Sequence, residues 1–149
     1  MFRVSRREET PVIVSACLVG IACRYDGRDA RDGEAVSVLA HCRVVPLCPE
    51  LLGGLPIPRS PASIMEGGGD DVLEGRARLV NAEGVDVTQA FIRGAQEVLR
   101  VARILGVRRA YLKRRSPSCG AARAPGPPPP EGVTAALLRR EGVEVVELG

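Results

Sequence analysis

DVTQAFIRGAQEVLRVARILGVRRAYLK, residues 86–113, reads as one helix followed by one strand. Phe91, Ala95, Val98, Leu99, Ala102 and Leu105 recur at the short intervals that align apolar side chains along one side of a helix. Asp86 is placed to cap the start, with Gln89 in the box position, and Gly106 stands where a left-handed residue closes a helix. RAYLK, residues 109–113, then predicts a short buried strand.

The same pairing recurs on both sides of this unit. Downstream, residues 132–141 predict a helix closed by Gly142, and residues 143–147 a strand. Upstream, VIVSAC at 12–17 and RVVPL at 43–47 are apolar runs without alternation, the pattern of strands covered on both faces, and a helical patch at 35–41 lies between them. Residues 76–80 suit one arm of a small hairpin. Strands alternating with helices imply βαβ units, so the expected fold is α/β: a mainly parallel sheet of about four strands with helices on both faces, a Rossmann-like three-layer sandwich. Residues 1–10 predict a loose polar arm and residues 11–149 one domain. PELLGGLPIPRSPA, 49–62, predicts a long loop without regular structure, and APGPPPP, 124–130, a stiff extended connector.

A chain of 149 residues that is 45% hydrophobic can bury a core of its own. Five cysteines is an odd number, and no leader-like segment or apolar run of about 20 residues is visible, so a cytoplasmic protein with free thiols is expected. The net charge of +3 is carried by arginines scattered among acids, with Lys113 the lone lysine. With no Trp, two Tyr and two Phe there are few platforms for stacked bases, which argues against a nucleic-acid partner.

Cys17, Cys48 and Cys119 each lie at or just beyond the C-terminal end of a predicted strand. In a parallel sheet those ends share one edge, the edge where open α/β folds bind ligands, so the three thiols are expected to converge. None of them forms a C-x-x-C pair of the kind structural zinc favours, whereas iron–sulfur clusters accept dispersed thiolates. Three thiolates on a four-iron cube leave one iron open as a Lewis acid, while zinc held by three cysteines and a water uses the same residues. Cys23 is a fourth ligand, a spectator or a redox partner, and Cys42 is packing. A cysteine-phosphatase loop fails by one position, because Arg24 is the seventh residue after Cys17 rather than the sixth.

Around these cysteines other side chains admit two roles. Glu50, two residues beyond Cys48, suits a general base or a turn cap. Ser116 suits a hydrogen bond to substrate or cluster, or a turn-stabilising hydroxyl before Pro117. Asp26 holds a tight turn or pairs with Arg24, and Lys113 faces an anionic site or solvent. Gly53 and Gly54 shape the backbone or turn N–H groups toward a ligand. His41 follows no strand end and is set aside.

Taken together, SACLVGIACRYDG (15–27), VPLCPELLGGLPIPRSP (45–61), DVTQAFIRGA (86–95), KRRSPSCG (113–120) and GVTAALLRREGVEV (132–145) resemble a bacterial and archaeal family long classed as a domain of unknown function, which includes the thiouracil desulfidases. The resemblance implies a [4Fe-4S] cluster on Cys17, Cys48 and Cys119. It also implies non-redox removal of sulfur from a thiolated nucleobase, with Glu50 and Ser116 as the catalytic pair. After Gly120 the chain departs from the family pattern, with AARAPGPPPPEG in place of a YDG-containing turn and a glycine-rich loop. The rival functions are a sensing or structural module that binds a metal or cluster without turnover, and a cluster-free thiol protein.

Overall fold

The computed structural model describes residues 10–120 and 131–149. The expected arm at the N-terminus falls almost wholly outside them, as does the polyproline connector.

Four strands, β1 (Val12–Ser15), β2 (Val44–Leu47), β5 (Arg109–Lys113) and β6 (Glu144–Leu148), form a sheet in the order β2-β1-β5-β6, with every pair parallel. The register explains the unalternating strands. Ile13 shares one face with Val45, Ala110, Leu112 and Val145, beneath the helices α4 (Thr88–Leu105) and α5 (Val133–Arg140). Val14 shares the other with Val44, Tyr111 and Val146, beneath α1 (Gly33–Leu39). Helices thus cover both faces, and each strand must be apolar on both sides. Among the described residues no helix is long and apolar enough to cross a membrane.

The middle of the chain holds more structure than its prolines and glycines suggest. Instead of a bare loop, residues 49–62 begin with α2 (Pro49–Leu52), a single turn with Cys48 as N-cap and Pro49 in the first position, where a missing N–H costs nothing. They end where β3 (Ala62–Met65) begins, which pairs antiparallel with β4 (Arg78–Asn81) across α3 (Gly69–Leu73). This hairpin packs Val72, Leu79 and Ala77 onto Phe91, Ala95 and Val133.

The long helix also starts differently from the expected capping box. It begins at Thr88 with Val87 as N-cap, because Asp86 and Val87 are held to β4 by a bridge to Val80 and by the Val87 N–H bond to the Leu79 carbonyl. Asp86 instead accepts the Thr88 N–H at 2.9 Å, and the Thr88 hydroxyl accepts the Leu79 N–H at 2.9 Å. The apolar stripe is buried from Phe91 to Ala102, whereas Leu105 in the last turn is exposed. Gly106 closes the helix at φ +68° as expected.

Two glycines let α4 cross α2 at backbone distance. A Cβ on Gly94 would overlap the Pro49 carbonyl, and one on Gly53 would overlap that of Ala90. Gly94→Ala is therefore expected to destabilise the fold by at least the roughly 1–3 kcal/mol typical of overpacking, since backbone rather than a side chain must give way. Thermal melting checks this against Gly33→Ala, where nothing lies within 4 Å and no loss is expected. Equal melting temperatures for the two variants would reject the crossing as a constraint.

Candidate functional site

At the carboxyl edge of the sheet lies a cavity of about 410 Å³, lined by Cys17, Cys23, Cys48 and Cys119 together with Glu50, Ser116, Ser118, Arg59 and Lys113. The three cysteines expected at strand ends do meet there, each delivered by a different turn. Cys17 sits in a 3-10 turn, Ala16–Val19, that follows β1 directly and closes at Gly20 with φ +99°. The CRYDGRDARDG loop folds back on this turn through Ala30 N–H to the Cys17 carbonyl (2.9 Å) and Asp32 N–H to the Leu18 carbonyl (3.1 Å). Cys48 caps α2 immediately after β2. Cys119 ends a turn after β5, where its N–H donates to the Ser116 hydroxyl at 3.1 Å.

Cys23 is buried in the same cavity, against both Cys17 and Cys48, and the Cys48 thiol lies 3.9 Å from the Cys23 carbonyl. A hydrogen bond from Cys23 holds the Cys17 thiol below its ordinary value despite burial and the neighbouring cysteines. The same bond pushes Cys23 up to about 11. Cys48 is raised by its hydrogen bond with Cys23 and by burial. Burial takes Cys119 up to about 12, against hydrogen bonds from Ser15 and Ser118. Crowded, buried thiols of this kind ionise together only against a positive centre, the condition a metal group supplies. Thiolates suit both zinc and iron–sulfur clusters, and in a four-iron cube each would bind a different iron.

Glu50 faces the thiols from α2 with both carboxylate oxygens engaged. Oε1 accepts from the Arg59 Nε at 3.1 Å, in an ion pair whose side chains are 17% and 6% exposed, and Oε2 accepts from the Ser118 hydroxyl at 3.2 Å. Ser116 does not make this contact. Its hydroxyl accepts the Ser118 and Cys119 N–H groups (3.3 and 3.1 Å) and lies 3.0 Å from the Ser118 hydroxyl. With its acceptor capacity spent on the turn, its proton points to Ser118 and the pair continues to Glu50.

Ser118, Arg59 and Ser15 were invisible as site residues in the sequence. Ser118 is 1% exposed, and the signal available was its place directly before Cys119. Ser15 closes the gap between strands by accepting the Lys113 N–H at 2.8 Å. Arg59 sits in the proline-rich loop, after a cis Ile57–Pro58 peptide.

The remaining candidates take plainer parts. Asp26 accepts the Arg28 N–H at 3.0 Å and holds its turn, while the Arg24 guanidinium stands 5.8 Å from the centre of the Tyr25 ring. The Lys113 ammonium, at the cavity wall, donates to the carbonyls of Gly149 (2.9 Å) and Arg114 (3.1 Å), and burial lowers its pKa. Gly53 and Gly54 turn their N–H groups to the carbonyls of Pro49 and Leu51, not to a ligand. Cys42 lies outside the cavity with its thiol 3.8 Å from the Val38 carbonyl, and His41 is exposed.

Comparison with known proteins matches residues 12–148 to the model of a family described as 2-thiouracil desulfurase. The uncharacterized protein YbbK of Bacillus subtilis (strain 168) is 40% identical over 145 residues, covering 91% of this chain and 93% of its own. Among solved structures, the [4Fe-4S]-dependent thiouracil desulfidase TudS superposes with a TM-score of 0.75 at 39% identity, over 92% of this chain and 89% of that one.

Proposed function

The chain belongs to the 2-thiouracil desulfurase family, and we propose that it hydrolyses the carbon–sulfur bond of a thiolated nucleobase or similar small thiocarbonyl compound, with Cys17, Cys48 and Cys119 holding a [4Fe-4S] cluster. The observation that carries this reading is the meeting of the three thiols and the Arg59–Glu50–Ser118 array in one cavity of about 410 Å³, within the range of small-molecule sites. When bound, such a cluster supplies one iron free of protein thiolate as a soft Lewis acid for a thiocarbonyl sulfur.

The chain's own groups do the proton work. Glu50 takes a proton from water as it adds to the thiocarbonyl carbon and returns it to the leaving sulfur. Ser118 and Ser116 form a short hydrogen-bonded chain from the Glu50 carboxylate along the SPSC turn. The overall change exchanges sulfur for oxygen, a thiocarbonyl and water giving a carbonyl and hydrogen sulfide, and no electrons are gained or lost.

Protein reconstituted anaerobically is therefore expected to release sulfide from 2-thiouracil equally well with and without dithionite. Strict dependence on the reductant would replace hydrolysis by redox chemistry. No release from any thiolated pyrimidine, despite full iron loading, would favour a sensing module.

A further inference from the structure

The Arg59 guanidinium is fixed from three sides. Its Nε donates to Glu50 Oε1 at 3.1 Å, Nη1 to the Pro56 carbonyl at 3.1 Å and Nη2 to the Cys23 carbonyl at 2.8 Å. Its backbone N–H donates to the Tyr25 carbonyl at 2.8 Å, so its own loop is pinned to the turn carrying Cys23. A planar fork with fixed donor directions satisfies three acceptors of this kind; a single ammonium on a flexible stem does not.

What makes such a clamp necessary is the space behind it. A second cavity of about 460 Å³, walled by Leu55, Pro58, Val87 and Phe91, also opens onto Glu50 and Arg59. Glu50, Arg59 and Ala62 line both cavities, so the ion pair is part of the partition between them and borders open space on the side away from the thiols. Among the described residues the Ser118 hydroxyl on Oε2 also holds the Glu50 carboxylate toward them.

We propose that Arg59 is the positioning residue of Glu50, holding its carboxylate on the cysteine side of the partition. The inference rests on the desulfidase reading and adds to it a residue whose guanidinium bonds Glu50 and the carbonyls of Pro56 and Cys23. Arg59→Lys keeps the charge but loses the fork, and Arg59→Met loses both. Each is expected to lower kcat by about 10²-fold, the cost of misplacing a reacting group by about 1 Å, with KM and iron content near the wild-type values.

The deciding measurement is a double-mutant cycle with Glu50→Gln. If Arg59 acts through Glu50, adding Arg59→Met to Glu50→Gln slows turnover by less than about threefold, because the group it positions is already gone. Melting temperatures of the same four proteins read the pair without turnover, and the two shifts are expected to be coupled rather than additive. An equal kinetic loss in both backgrounds, loss of iron in both Arg59 variants, or wild-type kcat in Arg59→Lys would each overturn the assignment. These failures are distinct from that of the desulfidase reading, which falls if the wild-type protein, fully loaded with iron, releases no sulfide, and the role of Arg59 falls with it.

Discussion

Replacing Cys17, Cys48 or Cys119 singly by serine is expected to abolish stable iron incorporation, while Cys42→Ser leaves it whole. A cube bound through three thiolates loses a third of its protein attachment with any one of them, and a serine hydroxyl is a harder, less readily ionised donor. The positions differ in burial, Cys119 being sealed beneath the SPSC turn and Cys48 more open, yet the same outcome is expected at all three because in the proposed cluster each would serve a separate iron. Cys42 lies outside the cavity and serves as the control. Cys23→Ser separates three ligands from four. Its thiol is hydrogen-bonded to those of Cys17 and Cys48, as a partner of two proposed ligands, and iron is expected to be retained. Iron and acid-labile sulfide per chain after anaerobic reconstitution decide the matter, and full retention in any of the first three variants would strike that cysteine from the ligand set.

Glu50→Gln is expected to slow sulfide release by about 10²–10⁴-fold, the range of a lost general acid–base group, with iron content unchanged. Glutamine keeps the shape and can still accept from Arg59, but it neither takes a proton from water nor balances the buried guanidinium. Its melting temperature should therefore fall as well, since the pair is only 17% and 6% exposed and the cation is left without its partner. Loss of activity in proportion to lost iron would instead make Glu50 a support of the cluster turn. A rate within about threefold of wild type would remove it from the proton-transfer role.

The amino-acid sequence by itself determined the parallel sheet and the edge on which the site lies. Burial on both faces is written locally, in runs such as VIVS and AYL. Once the strands run parallel, their carboxyl ends share an edge wherever the connections go, so the meeting of Cys17, Cys48 and Cys119 followed from topology alone. Only the tertiary structure decided which side chains touch within that edge. Ser118 reaches Glu50 across 68 positions and Arg59 reaches Cys23 across 36, and neither distance leaves a period or a motif in the chain. The α2 turn, β3 and α3 were hidden for a related reason. Each is too short to show a periodicity of its own and is held by a neighbour, α2 by α4, β3 by β4 and α3 chiefly by α5; Gly94, which interrupts the apolar stripe of α4, is explained only by the backbone of Pro49 lying against it.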